Sequence, residues 1–449
     1  MEALKQALGS GRLVALWYDA PHLHYLVEGP EGSPLQEFQV EARGSFPSLA
    51  GEFPALDWFE RELWEEHSLV PEGHPALKPL RNHCLPYPFE RVEGLHEVPV
   101  GPVHAGIIEP GHFRFSVLGE KILHLELRLG YQHRGVERLF QGAGLERARL
   151  LAERAGGESV AHALAFCQAV EAALGLEVPP RARQLRRVLL ELERVFGHLG
   201  HLAGLFTDIG YAYAATQVGK VRALLQGQLE RLTGHRYGRN ALTVGGVSFD
   251  LDPKTQLEVR GALSRLGLEA EAQLLSAFKQ PMVLDRLRYV GAITPAQARW
   301  LGLVGPAARA CGLGRDLRQD DGLYQPFTPV LRAGGDVLAR AQVYLEEVRQ
   351  GFRHLERFLT ELPPGGGWVD EAGPSQEGEL RTAFSRVEAG RGELFYWVRL
   401  QGRRVEQVKI VDPSFKNWRA LELAVRGMGL PDFPLINKSF DLSYAGCDL

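Results

Sequence analysis

The sequence predicts an α+β protein in which a small α/β module precedes a larger domain built from a β-hairpin region and a long helical bundle. Three observations support this class. Short alternating apolar runs occupy residues 12–40, and a second alternating pair of runs surrounds Gly119. Apolar residues recur every three or four positions after Pro180 and again after Asp336. The first two patterns indicate strands, and the third indicates amphipathic helices.

The amino-terminal module is predicted to end near residue 82. Its strands are LVALWYD, HLHYLVEG and EFQVEA, and a short helix follows with Asp57 as its N-cap and acidic residues in its first turn. Residues 73–88 carry four prolines and no helical period, so they are predicted to form a linker. Residues 1–82 and 83–449 are therefore the two predicted domains.

The larger domain begins with strands and continues with helices. The phrases FRFSVLG and KILHLELRLG predict a hairpin whose turn lies at Gly119. One long helix is predicted to begin at Pro180, and another runs from Asp336 to the stop at Pro363. Together these helices indicate an antiparallel bundle. Two further strands and a short helix are predicted over residues 394–400, 405–411 and 417–426.

Composition excludes several classes of function. The chain has 51 Lys+Arg and 55 Asp+Glu, so its formal charge of −4 argues against a general nucleic-acid binder. The four cysteines lie far apart with no CxxC spacing, which excludes a disulfide scaffold and a structural zinc site or Fe–S cluster held by this chain. We therefore expect no metal in this chain. The four cysteines are Cys84, Cys167, Cys311 and Cys447.

No signal peptide or run of about 20 apolar residues is evident, so we expect a cytoplasmic chain that reaches a membrane through partners.

The common catalytic motifs are absent from the sequence, and two local patterns remain. His198 and His201 are spaced i, i+3 on a helix, where they either share a metal or form a polar face of the bundle. Glu109 lies before Pro110 in the phrase GPVHAGIIEPGHFRF, with His104 on its amino-terminal side. That glutamate is a candidate proton carrier; the alternative is a hairpin residue that pairs with an arginine, Arg114.

Seven phrases together resemble one superfamily. The chain is similar to the large subunit of membrane-bound energy-converting nickel–iron hydrogenases, including that of formate hydrogenlyase, and to the related quinone-site large subunit of complex I. Residues 1–82, with the phrase DWFERELWEEHSLVPEGHP, resemble the small complex I subunit that precedes it, here fused. The phrases are GPVHAGIIEPGHFRF, LGYQHRGVERLF, ERAGGESVAHALAFCQAVE, ELERVFGHLGHLAGLFTD, GLVGPAARACGLGRDLR, GRGELFYWVRL and DFPLINKSFDLSYAG.

The resemblance also shows what this chain lacks. The hydrogenase family holds its metals with two CxxC pairs, and the matching positions here are Ala155, Glu158, Ser443 and Gly446. Thiolates are the donors that stabilise such a pair of metals, so we expect no nickel–iron centre. A vacant or water-filled pocket is the expectation. The alternative is a hard cation bound by oxygen atoms of Glu158, Glu109 and Ser443.

The complex I pattern is also incomplete. The resemblance places the quinone-contacting His and Tyr of that family at Ile108 and Gly156 of this chain. It further implies that Arg309 and Arg391 line the pocket. Glu158 is a second candidate proton carrier, and the alternative is that it faces water or pairs with an arginine such as Arg154.

The resemblance implies a peripheral subunit on the cytoplasmic face of a membrane-bound oxidoreductase. Such a subunit docks an Fe–S subunit, which carries the clusters, and lies on membrane-embedded subunits; this chain itself would bind no cofactor. A quinone or another small acceptor would be reduced at the pocket, and ferredoxin, NADH and formate remain open as electron donors. The alternative is a non-catalytic scaffold that transmits conformational change. An active hydrogenase is disfavoured by the missing thiolates.

Overall fold

The structure is a computed structural model that describes residues 1–30, 33–104, 109–368 and 379–449. It confirms the α+β class, with small sheets at both ends of the chain and long helices between them. Within the described ranges, no helix combines the length and the apolar character that a membrane crossing needs. The division at residue 82 stays a prediction. Buried apolar residues on both sides of it belong to one continuous core, so the core itself does not mark a boundary there.

The amino-terminal module contains a three-stranded antiparallel sheet in the order β1-β2-β3 and a short parallel pair, β4-β5. Helix α2 contacts β1 and β5. The predicted N-cap at Asp57 is wrong: the N-cap position is Leu56, and Asp57 is the first helical residue. Its elements are α1 (Glu2–Ser10), β1 (Arg12–Asp19), β2 (His22–Glu28), β3 (Leu35–Glu41), β4 (Ser45–Pro47), α2 (Asp57–His67) and β5 (Val70–Glu72), with a 3-10 turn at Pro54–Leu56.

A second antiparallel sheet opens the larger domain. Its order is β6-β7-β8, and the predicted hairpin is confirmed, with its turn between Leu118 and Lys121. Alternate residues such as Phe113, Phe115 and Val117 are buried, as the two-residue period of a strand requires. The strands are β6 (His96–Val100), β7 (His112–Leu118) and β8 (Lys121–Arg128).

The helical region is organised around one long helix of 29 residues, which Pro180 opens at its first position. This helix, α6, contacts α7 and α12, and α8 lies against α7 and α12. Asp336 caps α12 by accepting the Ala339 amide, as predicted. The elements are α3 (Val136–Phe140), α4 (Leu145–Ala152), α5 (Ser159–Leu174), α6 (Pro180–Asp208), α7 (Ala212–Thr233), β9 (Leu242–Thr243), β10 (Gly246–Val247), α8 (Pro253–Phe278), α9 (Pro281–Leu287), α10 (Pro295–Leu301), α11 (Gly305–Arg309) and α12 (Val337–Thr360), with 3-10 turns at Leu317–Gln319 and Gly322–Tyr324.

The carboxyl-terminal part returns to a sheet, whose order is β11-β12-β13 and on which α5 packs. The helix predicted over residues 417–426 begins four residues earlier, because Asp412 caps it and Pro413 occupies its first turn. The elements are β11 (Leu380–Ala389), β12 (Gly392–Gln401), β13 (Arg404–Val411), α13 (Pro413–Ala424), α14 (Phe433–Phe440) and α15 (Tyr444–Asp448), with a 3-10 turn at Leu430–Asp432.

A buried carboxylate joins the amino-terminal module to the larger domain. Glu28, at the end of β2, lies 2.6 Å from Arg12 and 2.8 Å from both Arg315 and Arg386. Burial alone raises the pKa of the Glu28 carboxyl, but the charges and hydrogen bonds of the three guanidinium groups outweigh it and lower the pKa to about 2. Arg315 and Arg386 belong to the larger domain, so the Glu28 carboxylate fixes the contact between that domain and the amino-terminal module.

We expect Glu28→Gln to lower the unfolding free energy of the full chain by about 3 kcal/mol at neutral pH, because three partly buried guanidinium groups lose their shared anion. A carboxyl with a lowered pKa contributes stability above its unfolded value, and this contribution is lost on acidification. The difference between the two proteins should therefore shrink as the pH falls from 4.5 toward 2 in chemical denaturation. Glu52→Gln, at an exposed pair with Lys5, is the control and should change little. A constant difference across this pH range would contradict the assignment.

Candidate functional site

Four stretches that are distant in sequence meet in the interior. They are residues 155–162 at the start of α5, the turn between β11 and β12, Asp412 at the start of α13, and residues 441–446 at the start of α15. The two stretches that match the hydrogenase cysteine pairs are neighbours, because a Cβ atom on Gly157 would lie 3.4 Å from Ser443 Oγ. We call this meeting point the candidate site.

Arg391, in the β11–β12 turn, is its central cation. The guanidinium lies 3.4 Å from Glu158 Oε2 and 3.3 Å from Asp441 Oδ2, and its Nε donates to the Asp441 carbonyl. Glu158 also accepts the Gly390 amide at 2.7 Å. It therefore pairs with an arginine, as the alternative expected, but the partner is Arg391 and not Arg154, which donates to a backbone carbonyl. Burial raises the pKa of Asp441, but the neighbouring Arg391 charge outweighs it and lowers that pKa below its usual range.

A second buried chain of polar groups lies beside this cation. His162 Nε2 is 3.2 Å from Asp412 Oδ2, and its Nδ1 is 2.8 Å from the Tyr396 hydroxyl. With a proton on Nε2, the ring donates to Asp412 and accepts from Tyr396. Burial raises the pKa of Asp412, but the His162 contact and the Ser414 amide reverse the effect and lower it. All three side chains are therefore held in one orientation.

The sequence predicted a vacant or water-filled pocket, but neighbouring side chains occupy the space beside two of its glycines. A Cβ atom on Gly446 would lie 2.2 Å from Asp412 Oδ2, and one on Gly156 would lie 2.3 Å from His162 Nε2. Asp412 and His162 thus occupy the space that side chains at these positions would need. The glycines are required because the carboxylate and the imidazole approach the backbone so closely.

The residues present do not fit a nickel–iron centre. Ser443 Oγ accepts the Gly446 amide at 2.9 Å, Ala155 lies in the apolar core, and Glu158 is bound to the β11–β12 turn. No thiolate is available among these positions. Across the described ranges, no group of three or more His, Cys, Asp and Glu side chains is arranged to hold a metal ion. The oxygen atoms proposed for a hard cation have separate partners.

Two other predicted residues precede β7, and one of them reaches the edge of the candidate site. Glu109 is exposed and accepts the Ala445 amide at 3.1 Å. The alternative that it pairs with Arg114 is wrong, because Arg114 donates to Glu97 on the neighbouring strand. His104 has its ring 6.1 Å from that of Phe113. Ile108 lies outside the described residues.

Arg309 and the two helical histidines lie on the bundle side of the site. Arg309 is fully buried and binds Glu347 at 2.8 Å, so it does not line the pocket directly. His198 lies 3.1 Å from the same carboxylate, and His201 lies 3.3 Å from Asp441. Both rings contact Tyr344 and are buried. Each histidine therefore has its own acidic partner. This agrees with the alternative that the two histidines form a polar face of the helical bundle.

The sequence of this chain matches two described families. Residues 208–379 and 371–449 match the respiratory-chain NADH dehydrogenase 49 Kd subunit, and residues 33–94 match the 30 Kd subunit. The chain belongs to the 49 Kd subunit family. The predicted fused organisation is confirmed by the second match, which lies in the amino-terminal part.

Known members show how far the likeness extends. The carbon monoxide-induced hydrogenase of Rhodospirillum rubrum is 32% identical over 353 residues, which cover 77% of this chain and 97% of that protein. Formate hydrogenlyase subunit 5 of Escherichia coli is 31% identical over 450 residues, which cover 91% and 78%. The membrane-bound sulfane sulfur reductase, an archaeal respiratory membrane complex, contains a chain with a TM-score of 0.72 and 26% identity; the match covers 81% of this chain and 100% of that one.

Several residues of this 49 Kd-family site were missed by sequence reasoning. Each has a partner from a distant segment, and all but the half-buried Asp441 are buried; they are His162, Tyr396, Asp412 and Asp441. Asp412 had a local signal, because an Asp before Pro at a helix start is a common N-cap. His162 and Tyr396 lie inside phrases that carried the resemblance. Their contact with each other has no signal in the sequence.

We expect Gly446→Ala to destabilise the full chain by about 2 kcal/mol, because the new methyl group would overlap the Asp412 carboxylate. That carboxylate cannot move away without losing His162 and the Ser414 amide. Gly197→Ala on α6 is the matched control: its Cβ meets nothing within 4 Å, so stability should stay equal or rise. Chemical denaturation measures both. A Gly446→Ala chain as stable as the parent would show that this contact is not tight.

Proposed function

We propose that this chain is a peripheral subunit of a membrane-bound, complex I-like oxidoreductase, in which a metal-free site helps to reduce a quinone or another small acceptor. It would lie on the cytoplasmic face, dock an Fe–S subunit and rest on membrane-embedded subunits. The clusters would belong to the partner, and no cofactor would be bound by this chain. Membership of the 49 Kd subunit family and membrane-bound relatives support this placement.

One observation carries the metal-free part of the proposal. The four positions of the family's metal ligands hold no thiolate, and the space beside Gly156 and Gly446 is taken by His162 and Asp412. Ionisable groups thus stand beside Gly446, where the resemblance places a metal ligand, and beside Gly156, where it places a quinone contact. The degenerate nickel–iron site is replaced by a set of groups that can bind protons and stabilise charge.

These groups suit the reduction of a small acceptor. Such a reduction consumes electrons and protons and creates negative charge on the acceptor before the protons arrive. Arg391 is a permanent cation that can stabilise this charge, and only 19% of its side chain is exposed, so solvent screens it weakly. Glu158, which binds Arg391, and His162, which binds Asp412, are the groups of the site that we assign to proton delivery.

A second function is favoured by the tight contacts of the same site. Because Asp412 fills the space at both glycines, the site also suits a scaffold that keeps the complex together without binding an acceptor. The two functions differ in what the ionisable groups do. In a scaffold, neutralising Glu158 affects packing but leaves electron transfer intact.

We expect less than about 0.1 nickel per chain in the purified complex, because the soft sulfur donors of a nickel–iron centre are missing. Elemental analysis by mass spectrometry measures nickel, and the iron content should equal that of the Fe–S subunit alone. Stoichiometric nickel, retained after dialysis against a chelator, would contradict the metal-free site.

We expect Glu158→Gln to slow electron transfer to the acceptor at least about tenfold while the complex still assembles, as loss of a general acid typically does. The purified complex is reduced photochemically, mixed with decylubiquinone, and the reoxidation of its clusters is followed by stopped-flow absorbance. Glu146→Gln on α4, with a mostly exposed side chain, is the control and should behave like the parent. Unchanged reoxidation in Glu158→Gln favours the scaffold. A parent complex that decylubiquinone does not reoxidise would overturn the quinone as acceptor.

A further inference from the structure

Seven charged side chains form a buried charge network between the helical bundle and β11. Each is at most 4% exposed, and each pairs with at least one other member. The members are Arg194, Arg309, Arg318, Glu191, Asp316, Glu347 and Glu388.

Arg309 is the centre of the buried charge network. Its guanidinium lies 2.8 Å from Glu347, 3.1 Å from Asp316 and 2.7 Å from Glu388. Arg318 binds the first two of these carboxylates from the other side, at 3.5 and 2.7 Å. The carboxylates are thus held by shared cations rather than by water.

Glu191 completes the network on α6. It lies 3.0 Å from Arg194 and 3.9 Å from Arg318, and it accepts the Tyr324 hydroxyl at 2.8 Å. Arg194 also donates to the backbone carbonyls of Glu388 and Ala389, which ties α6 to the end of β11.

The charges of the network do not balance. Three guanidinium groups face four carboxyl groups, which leaves one negative charge uncompensated in a site of low polarity. An unpaired buried charge is costly, so one carboxyl group should hold a proton or a neighbour should supply a cation. The titratable side chains beside the network are His198 and Tyr324, which contact it, and His354, whose ring packs on Tyr324.

Two of these neighbours supply no charge near neutral pH. Burial lowers the pKa of His354 to about 4, so the ring is neutral. Burial and the Glu191 charge raise the pKa of Tyr324 well above its usual range. The basic groups nearby are already paired: Arg187 binds Asp321, and Arg386 binds Glu28 and Glu393. The proton therefore belongs to a network carboxyl or to His198.

Glu388 is the carboxyl with the fewest cationic partners. It contacts one guanidinium, that of Arg309, and accepts the Leu317 amide at 3.1 Å. Asp316, Glu347 and Glu191 each contact two. Burial, followed by the charge of Asp316, raises the pKa of Glu388.

Glu388 is also the network member that borders both solvent and the candidate site. It lines a cleft of about 350 Å³ together with Arg187, Asp320, Asp321, Tyr324 and Arg386. Two residues along the chain, a Cβ atom on Gly390 would lie 2.6 Å from Glu158 Oε1 and 3.7 Å from His198 Cε1. The network thus extends from the cleft to the candidate site.

We propose that Glu388 holds one proton as a carboxylic acid and exchanges it with water in the cleft, and so sets the charge of the network that the candidate site faces. Proton uptake leaves the network neutral, and proton release leaves it with one negative charge. His198 lies between Glu347 and the Gly390 turn. A change in the charge of the network therefore changes the electrostatic potential at the groups beside Glu158. The role in acceptor reduction rests on the proposed function, whereas the bound proton does not.

The proton is counted from the pH dependence of the unfolding free energy of the full chain, without partners or electron carriers. A carboxyl with a raised pKa contributes stability below its unfolded value of 4.5, and this is lost as the pH rises toward the folded pKa. Over the pH range from about 5 up to the pH at which folded Glu388 loses its proton, Glu388→Gln should therefore release one proton fewer on unfolding than the parent. Asp320→Asn, an exposed acid in the same cleft, should match the parent.

A second variant separates Glu388 from His198 and remains informative if Glu388→Gln does not fold. The groups that face His198 are Glu347 and Tyr344 on α12, Arg194 on α6, and Asp441. If Glu388 holds the proton, His198→Asn should release as many protons on unfolding as the parent over the same range, apart from the ordinary titration of one unfolded histidine. The proposal would be overturned if His198→Asn released one proton fewer on unfolding than expected here. It would also be overturned if Glu388→Gln and the parent released equal numbers of protons. Failure of electron transfer in the assembled complex would leave this proton count unaffected.

Discussion

The carboxylate of Asp412 is the contact on which the candidate site depends. It joins α5 to α13 through His162 and caps α13 through the Ser414 amide, and it borders the backbone at Gly156 and Gly446. A buried carboxylate is stable only where several donors compensate for lost water, and these contacts supply them. The close approach in turn requires residues without a side chain at both neighbouring positions.

Other charged side chains in the protein are also compensated by several partners at once. Arg309 satisfies three carboxylates, Glu28 satisfies three guanidinium groups, and Arg391 binds two acidic residues. Shared partners reduce the cost of burying each charge, because one ordered side chain serves several contacts. They also make the fold specific, since no rearrangement could move one member without exposing another to an apolar environment.

The framework of this 49 Kd-family fold is held without thiolates at the four positions that resemble the hydrogenase cysteine pairs. Of these positions, Ala155 lies in the apolar core, and the backbone at Gly446 packs closely against the Asp412 carboxylate. The framework is held instead by the helical bundle and by ion pairs around Arg309 and Arg391.

The sequence by itself determined the α+β class, the long helices that begin at Pro180 and after Asp336, the hairpin before Lys121 and the family. These features depend on local periodicity, on Pro and Asp at helix starts, and on continuous phrases, all of which are read along the chain. Only the tertiary structure decided that Arg391 rather than Arg154 binds Glu158, that His162 meets Asp412 across 250 positions, and that Glu109 lies at the surface. The reason is physical: the partner of a buried charge is chosen by which segments the fold brings within about 4 Å, and spacing along the chain carries no record of that distance.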